Sequence, residues 1–135
     1  MHVAPYLNFD GNCREAFGVY ADILGGKIKF MQTHGESPIP DQGQEMRERI
    51  MHARLAIGDS VMLASDTPIG MYEPTRTMYV MAQRDDPADA ERVFHALAED
   101  GRVMMPIQET FWAARFGMLI DRFGIPWMVN CDLPG

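Results

Sequence analysis

The 135 residues carry 12 basic and 19 acidic side chains, a formal net charge of −7, and 47% of them are hydrophobic. A chain of this length and balance makes one domain that buries a core without staples. The acidic excess argues against nucleic acid or an anionic membrane as the main partner, since both need a basic face.

The two cysteines, Cys13 and Cys131, form no C-x-x-C pair, which argues against a zinc ribbon or a redox motif. They read as reduced thiols of a cytoplasmic protein. Cys13 follows a helix N-cap signal, where a thiolate would be favoured. The opening "MHVAPYLNFDGN" lacks the basic start of a signal peptide, and no apolar run is long enough for a membrane span.

Val3, Pro5, Leu7 and Phe9 alternate with Ala4, Tyr6 and Asn8, the period-two pattern of a half-buried strand. "DGN" turns the chain, with Asn12 placed to cap a helix. Ala16, Phe17, Tyr20, Ile23 and Leu24 then form a helical stripe that ends at Gly25 and Gly26. "KIKFMQTH" reads as a strand. "GESPIPDQGQEM" is a loop-like insertion, either a lid, a dimer arm or plain surface. "RIMHARLAIG" and "SVMLAS" make a hairpin across a Gly-Asp turn. "DTPIGMYEPTR" is a linker and "TMYVMAQ" another strand. In "DPADAERVFHALAEDG", Asp86 caps a helix, Pro87 occupies its first turn and Gly101 closes it. "RVMMPIQET" and "QETFWAARFGMLIDRFGIPWMVNCD" supply three more strands.

The element order is β-α-β-β-β, stated twice, over about 1–66 and 76–135 with a linker at 67–75. This pattern, with "PYLNFDGNCREAF", "HARLAIGDSVMLASD" and "QETFWAARFG…D.FGIPWMVN", resembles the vicinal oxygen chelate superfamily. That superfamily includes glyoxalase I, bleomycin-resistance proteins and extradiol dioxygenases, and more narrowly these segments look like its PhnB-like branch. The resemblance implies an α+β fold, the glyoxalase/bleomycin resistance fold. In it two βαβββ modules form curved, incomplete-barrel sheets, with helices on the convex face and a cavity on the concave one. It also implies a homodimer.

Within that fold the more apolar parity of each strand should pack under a helix. That directs Tyr6 and Asn8 of the first strand, and His52 and Arg54 of "IMHARLAI", toward the cavity. In "ARFGMLID" the apolar parity is Phe116, Met118 and Ile120, which sends Arg115, Gly117 and Leu119 inward. In the last strand Trp127, Val129 and Cys131 pack under a helix, and Met128 and Asn130 line the cavity. Gln108, Glu109 and Trp112 in "QETFWA" fall at the rim.

Metal-dependent members of the superfamily hold a divalent ion with His and Glu side chains, one on the first and one on the last strand of each module. Here those positions fall near Ala4, Leu63, Thr77 and Met128, a set unsuited to a hard or borderline cation. No metal ligand and no cofactor are therefore expected. Of the four histidines only His52 faces the expected cavity. It suits acid–base work near neutral pH, with Glu109 as a candidate partner. The methyltransferase label common in the PhnB-like branch would need a Gly-rich strand-to-helix turn in a parallel sheet, and "ILGGKIK" runs from helix to strand.

The leading expectation is a small-molecule-binding protein for a compact anionic or carbonyl ligand. Its ligand-binding residues would be Tyr6, Asn8, Arg54, Tyr79, Gln108, Trp112, Arg115 and Asn130. The alternative is an enzyme of vicinal-oxygen-chelate type, of lyase, isomerase or dioxygenase chemistry, using His52 and Glu109 or an unusual metal site. A third possibility is a dimeric scaffold with a vestigial pocket.

Overall fold

A computed structural model describes residues 1–38 and 43–135. They form two compact units, Met1–Glu73 and Pro74–Gly135. The first contains β1 (Tyr6–Phe9), α1 (Cys13–Leu24), β2 (Lys27–Thr33), a 3-10 turn (His34–Glu36), α2 (Gln44–Glu48), β3 (Ile50–Ile57) and β4 (Ser60–Asp66). The second contains β5 (Val80–Arg84), α3 (Pro87–Ala98), β6 (Arg102–Gln108), β7 (Ala113–Ile120) and β8 (Pro126–Asp132).

Each unit builds one four-stranded sheet, ordered β1-β4-β3-β2 in the first and β5-β8-β7-β6 in the second. The outer β1 and β5 run parallel to β4 and β8, and the other pairs are antiparallel. Two details depart from expectation. The strand read from "TMYVMAQ" begins only at Val80, so Thr77 and Tyr79 precede it. The insertion holds a short helix, α2, with Met46 buried. Part of the lid or dimer-arm reading falls on 39–42, outside the described residues.

In the first unit α1 buries the stripe seen in the sequence, together with Cys13. It packs on the side of the sheet that carries Leu7, Phe9, Ala53, Leu55, Met62 and Ala64, all buried. The Phe9 ring meets Phe17 edge-on at 6.3 Å. Burying a large apolar side chain contributes about 1.5–3 kcal/mol, so this face holds most of the unit's stability.

The helix start differs from the sequence reading. Asn12 occupies the cap position but makes no side-chain capping bond. The buried Asp66, at the end of β4, does this work instead. Its Oδ1 accepts from the amides of Gly11 at 2.9 Å and Cys13 at 3.0 Å. Its Oδ2 accepts from the amide of Ile50 at 2.8 Å. One carboxylate thus ties the first turn of α1 to the start of β3. The expectation that Cys13 favours a thiolate is overturned. Burial, with the Asp66 carboxylate adding to it, pushes its pKa up to about 12.

In the second unit Asp86 caps α3 as expected, accepting from the Asp89 amide at 3.0 Å. α3 buries Ala90, Val93, Phe94 and Leu97. Gly101 donates to the Ala98 carbonyl at 2.9 Å just past the helix end. Another buried carboxylate, Asp121, sits at the corner between β7 and β8. It accepts from the amides of Phe123 and Ile125 and from the indole N–H of Trp127, each at 2.9 Å.

The face assignment of β7 is inverted relative to the sequence reading. Gly117 pairs with Val129, Arg115 with Cys131 and Leu119 with Trp127. Residues paired across antiparallel strands share a face, and Trp127, Val129 and Cys131 lie on the helix side. A Cβ on Gly117 would lie 2.6 Å from Cε2 of Phe94. The Phe94 ring therefore fills the space that the glycine leaves, and Leu119 is fully buried. Arg115 leaves the core at the sheet margin, where its Nε lies 3.2 Å from Oε1 of Glu91 on α3. Phe116 and Met118 take the opposite face.

Candidate functional site

Among the described residues, one sheet face of each unit carries a helix and the other does not. On the helix-free face of the first unit, Tyr6 pairs with Leu63, Leu63 with Arg54 and Arg54 with Phe30. These four side chains form a row across all four strands. Asn8, Ser65, His52 and Gln32 stand one step along the strands. Ser65 Oγ donates to Asn8 Oδ1 at 3.3 Å.

His52 lies between two rings. Its centroid is 5.9 Å from that of Tyr6, with planes 27° apart. It is also 5.9 Å from Phe30, with planes 46° apart. Tyr6 Oη is 3.4 Å from Nδ1 of His52, a contact that holds the imidazole in place. Tyr6 and Phe30 remain 48% and 46% exposed. Arg54 is exposed, and its side chain makes no ion pair or hydrogen bond among the described residues. A cavity of about 780 Å³ opens beside it, walled by residues 2–6, Leu63 and the turn at 59–61.

Four of the site residues expected from the sequence, Tyr6, Asn8, His52 and Arg54, thus share one surface. The sequence reading missed Phe30, which stacks on His52. In its strand, "KIKFMQT", Phe30 shares a parity with Ile28, opposite Lys27 and Lys29, so alternation alone sends it under the helix; the irregularity between Ile28 and Phe30 turns it to the other face, beside Arg54.

The second unit distributes its candidates differently. Asn130 is buried on the helix-free face, and its Nδ2 donates to Gln83 Oε1 at 3.0 Å and to Asp132 Oδ1 at 2.9 Å. Trp112 is 48% exposed and packs against Phe116, ring to ring at 5.5 Å. Gln108 ends β6, exposed, with its amide turned back to the Pro106 carbonyl at 3.3 Å. Glu109 is exposed beyond that strand, and Tyr79 is half-buried just ahead of β5. Arg115 is removed from the expected set, because its ion pair with Glu91 places it on the helix side. The row equivalent to that of the first unit consists of Met81, Met128, Met118 and Met105, paired in that order.

Residues 1–130 match the sequence profile of the family described as 3-demethylubiquinone-9 3-methyltransferase. The chain belongs to this family. This is the PhnB-like family that the sequence resembles, and the chain shares the fold of vicinal oxygen chelate proteins such as FosX. It is 34% identical to protein YjdN of Escherichia coli K12, over 96% of this chain and 95% of that one. The crystal structure of PA1353 from Pseudomonas aeruginosa is similar at 47% identity and a TM-score of 0.91, covering 98% of both chains. The PhnB protein of Bacillus cereus, a putative 3-demethylubiquinone-9 3-methyltransferase, is similar at 22% identity and a TM-score of 0.81, over 97% of this chain and 99% of that one. The fosfomycin resistance protein FosX of Mesorhizobium loti shares the fold at 10% identity and a TM-score of 0.64, over 98% and 92%. The two four-stranded sheets are those of the glyoxalase/bleomycin resistance fold.

The metal-binding positions implied by the superfamily can now be placed by register. Ala4 and Thr77 precede the strands, so the paired residues on first and last strands are Tyr6 with Leu63 and Met81 with Met128. A phenol, an alkyl group and two thioethers do not match the imidazole and carboxylate donors that a hard or borderline divalent ion takes. Among the described residues, no three His, Cys, Asp or Glu side chains gather into a ligand set. The Gly25–Gly26 pair is a helix stop, with Gly25 in the left-handed region at φ 74°.

Proposed function

We propose that this PhnB-like chain is a small-molecule-binding protein, taking a compact ligand with an anionic or carbonyl group at Arg54. We infer further that it works without the superfamily's usual metal centre. The observation that carries the reading is a guanidinium, unpaired among the described residues, on the wall of a cavity of about 780 Å³ that Tyr6, Leu63 and Asp59 also line. That volume lies in the range of ligand sites, where a few polar groups fix orientation within a mostly apolar lining. A planar guanidinium offers a carboxylate two parallel hydrogen bonds. The methyltransferase description finds little support. Each sheet has a single parallel strand pair, and the Gly-Gly pair follows a helix rather than opening one. By superfamily habit the protein is a homodimer. A cytoplasmic setting is part of the same proposal.

Calorimetric titration with small carboxylates tests the reading. Saturable binding without turnover is expected, and Arg54→Gln should weaken it roughly 10- to 100-fold, the worth of a charge-assisted hydrogen bond. Binding unaffected by Arg54→Gln refutes the site. About one tightly held divalent ion per chain in untagged protein would refute the metal-free part. A second reading, acid–base catalysis by His52, draws support from the Tyr6 contact that orients the imidazole. It requires pH-dependent turnover that His52→Ala abolishes.

A further inference from the structure

We propose that the ligand of the first unit is a flat aromatic carboxylate, an inference that rests on the binding reading above and specifies its ligand class. The row Tyr6, Leu63, Arg54, Phe30 contains one charged group, and its neighbours in register are hydrocarbon on one side and an aromatic ring on the other. An anion on Arg54 can lay the rest of its body on Tyr6 and Leu63, which wall the cavity, or on Phe30, which stands on the other side of Arg54.

The rings decide what that body is. Tyr6, His52 and Phe30 make a continuous strip, with both centroid separations 5.9 Å. Those separations lie inside the range in which aromatic pairs attract through their quadrupoles. The two outer rings leave nearly half their surface open, and the inner one is held by its contact with the Tyr6 hydroxyl. A saturated chain on this strip gains only from the area it covers. A flat conjugated ring gains that area and a further aromatic pair, worth roughly 3- to 10-fold in affinity. The equivalent row of the second unit, Met81, Met128, Met118 and Met105, has neither charge nor aromatic ring. It offers an adaptable apolar surface but nothing that selects an anion. That row therefore lacks the contacts of the first unit's row, although the same face carries Arg102 at its edge and Phe116 packed against Trp112.

The test titrates the full chain with three probes: 2-naphthoate, its saturated decahydro counterpart of equal charge, and 2-naphthamide, which keeps the ring and loses the charge. Naphthoate should bind about 5-fold tighter than the saturated acid and at least about 10-fold tighter than the amide. Phe30→Leu, which keeps apolar area on an exposed position, should bring naphthoate down to the saturated acid. Arg54→Gln should bring it down to the amide. Equal affinity for the two acids, unmoved by Phe30→Leu, would overturn the aromatic class and leave the anion site standing. Equal affinity for naphthoate and naphthamide, no effect of Arg54→Gln, or no binding of any probe would overturn the underlying binding reading itself.

Discussion

Gly117→Ala is a direct test of which face of β7 meets α3. The added Cβ would lie 2.6 Å and 2.9 Å from Cε2 and Cδ2 of the Phe94 ring, and 2.9 Å from Cα of Ile107. The ring atoms belong to a buried side chain and the third atom is backbone of β6, so neither neighbour can swing aside cheaply. Overpacking of this kind costs about 1–3 kcal/mol. Against it stands a gain of about 0.5–1 kcal/mol from replacing a flexible glycine inside a strand. The net expectation is a loss of roughly 1–2 kcal/mol, read as a lower urea midpoint at unchanged m-value. Gly18, inside α1 with nothing within 4 Å of its would-be Cβ, is the internal control. Gly18→Ala should stabilise by about 1 kcal/mol, the helix propensity difference. If Gly117→Ala proves as stabilising as Gly18→Ala, the glycine faces open space, Phe116 and Met118 pack under the helix, and the register argument fails.

Further expectations concern the buried carboxylates, the thiols and the displaced arginine. Asp66→Ala strands the amides of Gly11, Cys13 and Ile50, and it should cost about 3–5 kcal/mol in denaturant unfolding. A loss below about 1 kcal/mol would mean that the clamp is not formed. Cys13 and Cys131 are buried, and Cys13 has a pKa pushed up to about 12, so neither should react with a disulfide reagent near pH 8 until the protein is unfolded. The same shift carries a sign. Between the ordinary thiol value of 9.0 and about 12 the folded chain keeps a proton that the unfolded chain gives up. The Cys13 contribution to stability is therefore complete below that window and lost as pH rises through it, a loss that Cys13→Ala should remove from the pH profile. Arg115→Gln breaks a partly exposed pair with Glu91, so it should leave ligand affinity unchanged and move stability by less than about 1 kcal/mol.

Much of the site was legible because β1 and β3 alternate cleanly. Leu7 and Phe9 against Tyr6 and Asn8, or Ala53 and Leu55 against His52 and Arg54, leave little doubt about which parity seeks the helix. In β2 the contrast of Ile28 and Phe30 with Lys27 and Lys29 points Phe30 under the helix, and the irregularity between Ile28 and Phe30 turns it to the other face. In β7 the contrast was present and misleading. Phe116 and Met118 are the more apolar residues, yet the helix side belongs to Gly117 and Leu119. Volume decided there. A glycine beneath Phe94 fits where a large side chain would collide, and Phe116 finds cover under Trp112 instead.

The sequence by itself determined the two β-α-β-β-β units, the stripes of α1 and α3, the Asp86 cap and the turns, because each depends on residues within one or two turns of each other. It also determined that His52 and Arg54 share a face, since a strand can do nothing else with residues two apart. Only the tertiary structure decided that Asp66 rather than Asn12 secures α1, that Arg115 turns to Glu91, and that Tyr6, His52 and Phe30 meet as one aromatic strip. Those outcomes depend on strand register and on which side chain fits beneath which ring. Both are set by contacts between residues far apart in the chain, and no local pattern encodes them.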